Sequence, residues 1–187
     1  MFEMNKSVKP NNIILPSSWK TTRWSGGTTS ELLILPVGSE FKKGDYDLRI
    51  SIATVEIEES TFTPLPKVNR ILTILDGEIE LIHAGQHSVK LKQYEQDTFL
   101  GDWRTKSIGK VKDFNVMTKG CIAEVPVIHL TSDQSHTILT GDFLFVAEGN
   151  VSVKNQQITT NQSVFCQEKL EIKASEKSVI ILVRLKK

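Results

Sequence analysis

Apolar and polar residues alternate along most of the chain with a period of two. This period is typical of β-strands with one buried face, because successive side chains of a strand point to opposite sides. No stretch keeps a helical period for more than about two turns, so the pattern predicts no long helix. The alternating segments are residues 31–35, 46–57, 70–75, 78–83, 88–93, 114–117, 126–131, 142–148, 151–154 and 178–185.

Short connections with turn-forming residues separate these predicted strands. Examples are Asp76-Gly77, Gly141-Asp142 and the Ala84-Gly85-Gln86 turn. Glycine, asparagine and aspartate are common at such positions because they tolerate the backbone conformations that tight turns require. Many short strands joined in this way indicate an all-β sandwich or barrel.

Two stretches of the sequence, residues 71–101 and residues 143–167, can be aligned when gaps are allowed. In each stretch an apolar strand reaches a glycine, an alternating strand follows, and a polar hairpin precedes a further strand. Such repetition predicts two copies of one β-unit within the chain. We expect residues 1–120 to form the first half, with a boundary near Gly120, and residues 121–187 to form a second, smaller half.

The overall composition excludes several classes of partner. The 187 residues include 23 basic and 22 acidic side chains, a balance that favours neither nucleic acid nor an anionic membrane as partner. No segment approaches the roughly 20 apolar residues that span a bilayer, and the first residues contain no apolar run of signal-peptide length. The two cysteines form no disulfide framework, which suits a reducing compartment. We therefore expect a cytoplasmic protein.

Six blocks of the sequence resemble a known family in their order and spacing. They are WSGGTTSEL (24–32), RISIATVE (49–56), STFTPLP (60–66), NRILTILDGEIEL (69–81), FLGDW (99–103) and DFNVM (113–117). The family that they resemble is the HutD/Ves family of cupin-like proteins, and the resemblance covers about residues 19–120. It implies an all-β, cupin-type fold with two related barrel or sandwich halves in one chain, a bicupin. The family name also implies a link to histidine utilisation or stress response.

The histidines do not follow the pattern of metal-dependent cupins. Those proteins hold their ion with an HxH pair, a nearby Glu and a further His from a later strand, because several convergent ligands are needed. The closest pair here, His83 and His87, straddles the predicted turn at residues 84–86, and we expect the hairpin to separate the two rings. The sequence therefore predicts no metal site and no cofactor.

The alternation in residues 46–53 places a polar set of side chains on one strand face. Arg49, Ser51 and Ala53 share this face, and it has the small and polar character of a cavity wall. Arg70 begins the next strand, and two converging guanidinium groups would suit a carboxylate through bidentate hydrogen bonds. A solvent-exposed face is the alternative interpretation, and the family resemblance favours the cavity.

The glycine loop that contains Trp24 and Thr28 has two interpretations. Its glycines can bring backbone N–H groups close to an anion, with Trp24 as a cavity wall. Alternatively, Gly26 and Gly27 form a hairpin or bulge at the end of the barrel, with Trp24 in the core.

Three further polar residues are candidates for the same cavity. Asp113 and Asn115 share one strand face and can orient the arginines or contact a ligand, although Asp113 can equally cap a turn. Glu31 can be a cavity acid with a raised pKa or the ion-pair partner of an arginine.

These observations lead to a metal-independent binding protein as the first hypothesis. Its ligand is a small polar metabolite that bears a carboxylate, and its role is auxiliary or regulatory. The alternatives are a cofactor-free isomerase or lyase that uses Glu31 or Asp113, and an interaction scaffold. A homodimer is a further expectation, because exposed strand edges invite pairing. The candidate ligand-binding residues are Trp24, Thr28, Glu31, Arg49, Arg70, Asp113 and Asn115.

Overall fold

The computed structural model describes residues 13–154 and 156–186, and it confirms the predicted all-β class. Its regular elements are strands, apart from short 3-10 helices at Pro16–Ser18 and Phe41–Lys43. No helix among the described residues is both long enough and apolar enough to cross a membrane. The strands are β1 (Ile13–Ile14), β2 (Lys20–Trp24), β3 (Gly27–Leu35), β4 (Leu48–Val55), β5 (Glu59–Thr61), β6 (Asn69–Gly77), β7 (Ile79–His83), β8 (Ser88–Leu91), β9 (Gln96–Leu100), β10 (Thr105–Ile108), β11 (Val111–Thr118), β12 (Ile122–Glu124), β13 (Val127–Leu130), β14 (Ser135–Ile138), β15 (Phe143–Glu148), β16 (Asn150–Val153), β17 (Gln156–Thr159), β18 (Ser163–Phe165), β19 (Leu170–Ala174) and β20 (Ser178–Lys186).

The described chain forms two compact units. The first unit is Trp19–Ile122, and the second contains residues 13–18 and 123–186. Strand β1 belongs to the second unit because it pairs with β18. The division of the chain at residues 120 and 121 stays a prediction.

The first unit contains two antiparallel sheets. The six-stranded sheet has the order β2-β3-β4-β11-β6-β9, and the four-stranded sheet has the order β5-β10-β7-β8. Side chains from both sheets form an apolar core, whose burial stabilises the fold by about 1.5–3 kcal/mol for each large aliphatic or aromatic group. This core consists of Val55, Leu72, Ile74, Ile79, Leu81, Leu91, Phe99 and Val111.

Both faces of β4 are buried, and only one of them is apolar. Leu48, Ile50 and Ile52 lie on the apolar face, whereas Arg49 and Ser51 lie on the other. This arrangement is the alternation that the sequence predicts. The Arg49 side chain on the polar face is hydrogen-bonded to Ser51 and Glu31, as a buried charged group requires.

The second unit also has a six-stranded and a four-stranded sheet. The first has the path β1-β18-β15-β20-β12, with β13 paired to β20, and the second has the order β14-β19-β16-β17. Its core is apolar: Leu144, Ile158 and Ile180 are among its fully buried members. The strand pairs β6·β9 and β7·β8 of the first unit have counterparts in β15·β18 and β16·β17 of the second.

Candidate ligand-binding cavity

An open cavity of about 1210 Å³ lies in the first unit. Strands β2, β3, β4, β6 and β11 contribute to its walls. Of the residues that the sequence singles out, six line the cavity: Trp24, Glu31, Arg49, Arg70, Asp113 and Asn115.

Arg49 is buried in the cavity wall and is fixed by neighbouring side chains. Its Nε donates a hydrogen bond to Glu31 Oε2 at 2.8 Å, and its Nη1 donates to Ser51 Oγ at 3.3 Å. Its Cζ lies 4.1 Å from the centroid of the Phe41 ring, a cation–π distance. Glu31 is thus the ion-pair partner of an arginine, which is the second of its two predicted roles.

Arg70 is equally buried but lacks such a partner. Its Cζ lies 4.6 Å from the Phe62 centroid and 5.2 Å from the Phe99 centroid. Its Nε has no hydrogen-bond partner among the described residues. Burial lowers the pKa of Arg70 to about 10, and the charge of Asp113 opposes this shift. Arg70 therefore remains a cation at neutral pH, with hydrogen-bonding capacity that the protein leaves unused.

Asp113 and Asn115 lie side by side on the β11 wall. Asn115 Nδ2 donates to Asp113 Oδ1 at 3.4 Å, whereas Asn115 Oδ1 is buried and has no partner in the part of the chain that the structure describes. Burial raises the pKa of Asp113 to about 6, against the opposing effects of the Asn115 hydrogen bond and the Arg70 charge. Asp113 is paired within the sheet with Ala53 and Ile74, so it does not cap a turn.

Trp24 lies at the rim of the cavity, where 38 % of its surface is exposed. The hairpin interpretation, which expected Trp24 in the core, is therefore wrong about this residue. A Cβ at Gly26 would lie 2.1 Å from the Trp24 ring, so a larger residue there would require the ring to move. Gly27 has a φ of +149°, and a Cβ there would lie 1.9 Å from the Thr54 carbonyl oxygen. These glycines thus meet the packing demands of the β2–β3 hairpin.

Thr28 is absent from the cavity wall, and its neighbour Thr29 lies there instead. Residues 28 and 31 are an odd number of positions apart on one strand, which places them on opposite faces unless a bulge intervenes. The bulge of β3 falls between Glu31 and Leu33, too late to change this parity. Strand parity alone would have selected Thr29.

Sequence reasoning missed two groups of side chains. The first is the pair Phe62 and Phe99, which come from separate elements and stack on Arg70. The second is a cluster of His83, His87 and Asp97. The expectation that the hairpin separates the two histidines is wrong, since their ring centroids are only 4.7 Å apart.

Comparison with known proteins agrees with the resemblance seen in the sequence. The HutD family matches residues 16–182 of the chain. Protein Ves from Cronobacter sakazakii is 29 % identical over 153 residues, which are 78 % of this chain and 80 % of that protein.

Solved structures share the fold at low sequence identity. A conserved protein of unknown function from Pseudomonas aeruginosa has a TM-score of 0.81 at 19 % identity, covering 96 % of this chain and 100 % of the other. HutD from Pseudomonas fluorescens has a TM-score of 0.74 at 16 % identity, covering 95 % and 100 %. A cupin 2 conserved barrel domain protein from Leptotrichia buccalis has a TM-score of 0.63 at 10 % identity, covering 96 % and 99 %. The fold is cupin-like, and the chain belongs to the HutD family.

Proposed function

We propose that the cavity binds a small metabolite that bears a carboxylate, and that the protein acts as a metal-independent binding protein. The role that fits this activity is auxiliary or regulatory, in histidine utilisation or stress response. One observation carries the proposal: Arg70 is a buried cation in the cavity wall, and its Nε has no hydrogen-bond partner in the described part of the chain.

The energetics of burial favour an anionic ligand at Arg70. A buried charge is costly unless it is paired and hydrogen-bonded. The Phe62 and Phe99 rings lie near the guanidinium but accept no conventional hydrogen bond from its N–H groups. A carboxylate would accept two parallel hydrogen bonds from such a planar donor.

Asn115 indicates a second feature of the ligand. Its Oδ1 is buried with no partner in residues 13–154 and 156–186, and an amide oxygen accepts hydrogen bonds. A ligand with a hydroxyl, amide or ammonium donor near its carboxylate would satisfy Asn115 and Arg70 together. The cavity volume of about 1210 Å³ leaves room for a metabolite of several carbon atoms.

A thermal-shift screen tests the proposed ligand class. It would compare formate, acetate, succinate, glutamate and urocanate with the uncharged amides of the same acids, in buffer containing EDTA. A ligand that binds the native state raises stability by RT ln(1 + [L]/Kd), so the unfolding temperature should rise with concentration for an acid and not for its amide. Absence of a shift with every acid, or equal shifts for acid and amide, would overturn the proposal.

A second candidate function rests on Asp113. Its pKa of about 6 and its burial beside Asn115 suit a general acid or base near neutral pH. In this alternative the protein is a cofactor-free isomerase or lyase that acts on the bound acid. Turnover in EDTA that is lost in Asp113→Asn, with binding retained, would support it. Turnover that survives this substitution would exclude the role.

We also propose that the chain is a bicupin with related halves near the predicted boundary at residue 120. The matching strand pairs of the two units support this proposal. The balanced charge supports a cytoplasmic protein that binds neither nucleic acid nor membrane. The homodimer stays a prediction, which sedimentation velocity would test.

A further inference from the structure

A compact cluster of metal-ligating side chains lies outside the cavity wall. His83 Nε2 is 2.9 Å from Asp97 Oδ2, and His87 Nε2 is 3.0 Å from the same oxygen. All three atoms lie within 4.8 Å of one another. None of the three residues lines the arginine cavity.

The turn between β7 and β8 brings the two histidines together. The His83 N–H donates to the His87 carbonyl oxygen at 2.9 Å, which closes the turn and directs both rings to the same side. Asp97 reaches the rings from β9, a strand of the other sheet. Side chains from the two sheets therefore converge on one point.

Aromatic rings surround one of the two histidines of the cluster. The His83 side chain is fully buried, with ring centroids of Phe99 and Trp103 at 4.5 and 5.5 Å. A neutral imidazole keeps the lone pair that a metal ion needs.

Thr105 provides the outer contact that orients a metal-binding histidine. Its Oγ1 lies 2.8 Å from His83 Nδ1 and can donate to the Trp103 carbonyl oxygen at 3.3 Å. With the hydroxyl proton on that carbonyl, Oγ1 accepts the Nδ1–H hydrogen bond. In this tautomer the Nε2 lone pair faces Asp97 Oδ2, and a metal ion between the two atoms would bind both.

We propose that His83 Nε2, His87 Nε2 and Asp97 Oδ2 bind a divalent transition-metal ion of the zinc class. Two imidazoles and one carboxylate suit such ions, and three protein ligands leave a further position for water or another ligand. Metal–ligand bonds of about 2.0–2.2 Å place tetrahedral ligand atoms about 3.4 Å apart, so each N···O distance must open by about half an ångström. The His87 side chain, 40 % exposed on its turn, has the freedom to move and leaves a path for the ion.

Metal titration of tag-free, EDTA-treated protein tests this site. Zn²⁺ would be titrated calorimetrically, and Co²⁺ would report tetrahedral coordination through its visible absorption. The wild type should bind one ion, and His87→Ala and Asp97→Asn should each weaken Zn²⁺ binding by more than about 100-fold. Thr105→Val should weaken it by about 10–100-fold, the usual effect of losing an outer contact. His136→Ala, in the second unit, is the control and should bind as the wild type does.

Two results would overturn the proposal. They are no Zn²⁺ or Co²⁺ binding by the wild type, and unchanged affinity in His87→Ala. His87 is exposed, so this variant decides the question even where Asp97→Asn fails to fold. Carboxylate binding in EDTA is a separate measurement, and the failure of either site leaves the other intact.

Discussion

Arg49 and Arg70 both pair in register with Met117, which lies between them on the central strand β11. Residues directly opposite each other in antiparallel strands project from the same face, and two strand spacings separate the arginine Cα atoms by about 10 Å. Met117 is buried between them. The two guanidinium groups therefore rise from a common apolar base into the same cavity. Arg49 is hydrogen-bonded to Glu31, whereas Arg70 Nε has no hydrogen-bond partner among the described residues.

Glu31 competes with a bound carboxylate for Arg49. Glu31→Gln removes the competing charge while keeping a side chain of the same shape, so we expect carboxylate affinity to rise several-fold, by about 1 kcal/mol. Isothermal titration calorimetry measures the change. Glu56→Gln is the matched control, because Glu56 pairs with the exposed Arg23. Weaker binding by Glu31→Gln would show that Glu31 holds the ligand or the arginine in place.

Asp113 makes the stability of the protein depend on pH. Its pKa is about 6 in the folded protein, whereas the ordinary pKa of an aspartate side chain is 3.8. The folded state holds the proton more tightly, so this residue favours folding fully below pH 3.8 and loses that contribution as the pH rises through about 6. Asp113→Asn should remove the dependence, so the variant gains up to about 3 kcal/mol relative to the wild type between about pH 4 and about pH 8.

Urea unfolding at a series of pH values measures the Asp113 effect. The difference between variant and wild type isolates this residue, because His83, whose pKa is lowered, is present in both proteins. Parallel stability curves for the two proteins would contradict the assignment.

Gly27 is required by the packing of β3 against β4. Gly27→Ala should destabilise the fold by more than about 2 kcal/mol, because its Cβ would meet the Thr54 carbonyl oxygen at 1.9 Å. Gly120→Ala is the control: its φ of +67° strains alanine by about 1–2 kcal/mol, but no atom lies within 4 Å of the added Cβ. Equal urea midpoints for the two variants would refute the steric explanation.

The strand pattern was predictable from the sequence because strand alternation is a local property. Arg49 and Ser51 share a face in any strand that contains them, whatever it packs against. The same rule, applied to residues 28 and 31, would have replaced Thr28 with Thr29. The sequence therefore contained what was needed to choose Thr29 over Thr28.

The partners of the arginines and histidines were not predictable in this way. Phe62 and Phe99 reach Arg70 from a loop and from β9, and Asp97 reaches His83 across two sheets. Such contacts depend on strand order and register, which a single sequence leaves open. A turn that brings two rings together cannot be distinguished by residue type from one that separates them.

The most direct measurement is calorimetric titration of Arg70→Met and the wild type with the tightest-binding acid and its amide, in EDTA. Met replaces the cation with an apolar chain of similar length, and Arg104→Met, an exposed position outside the cavity, removes the same charge as a control. The wild type and the control should bind the acid, whereas Arg70→Met should bind it about 10–100-fold more weakly and no better than the amide. Equal affinity of Arg70→Met and wild type for the acid would contradict carboxylate recognition by this cavity.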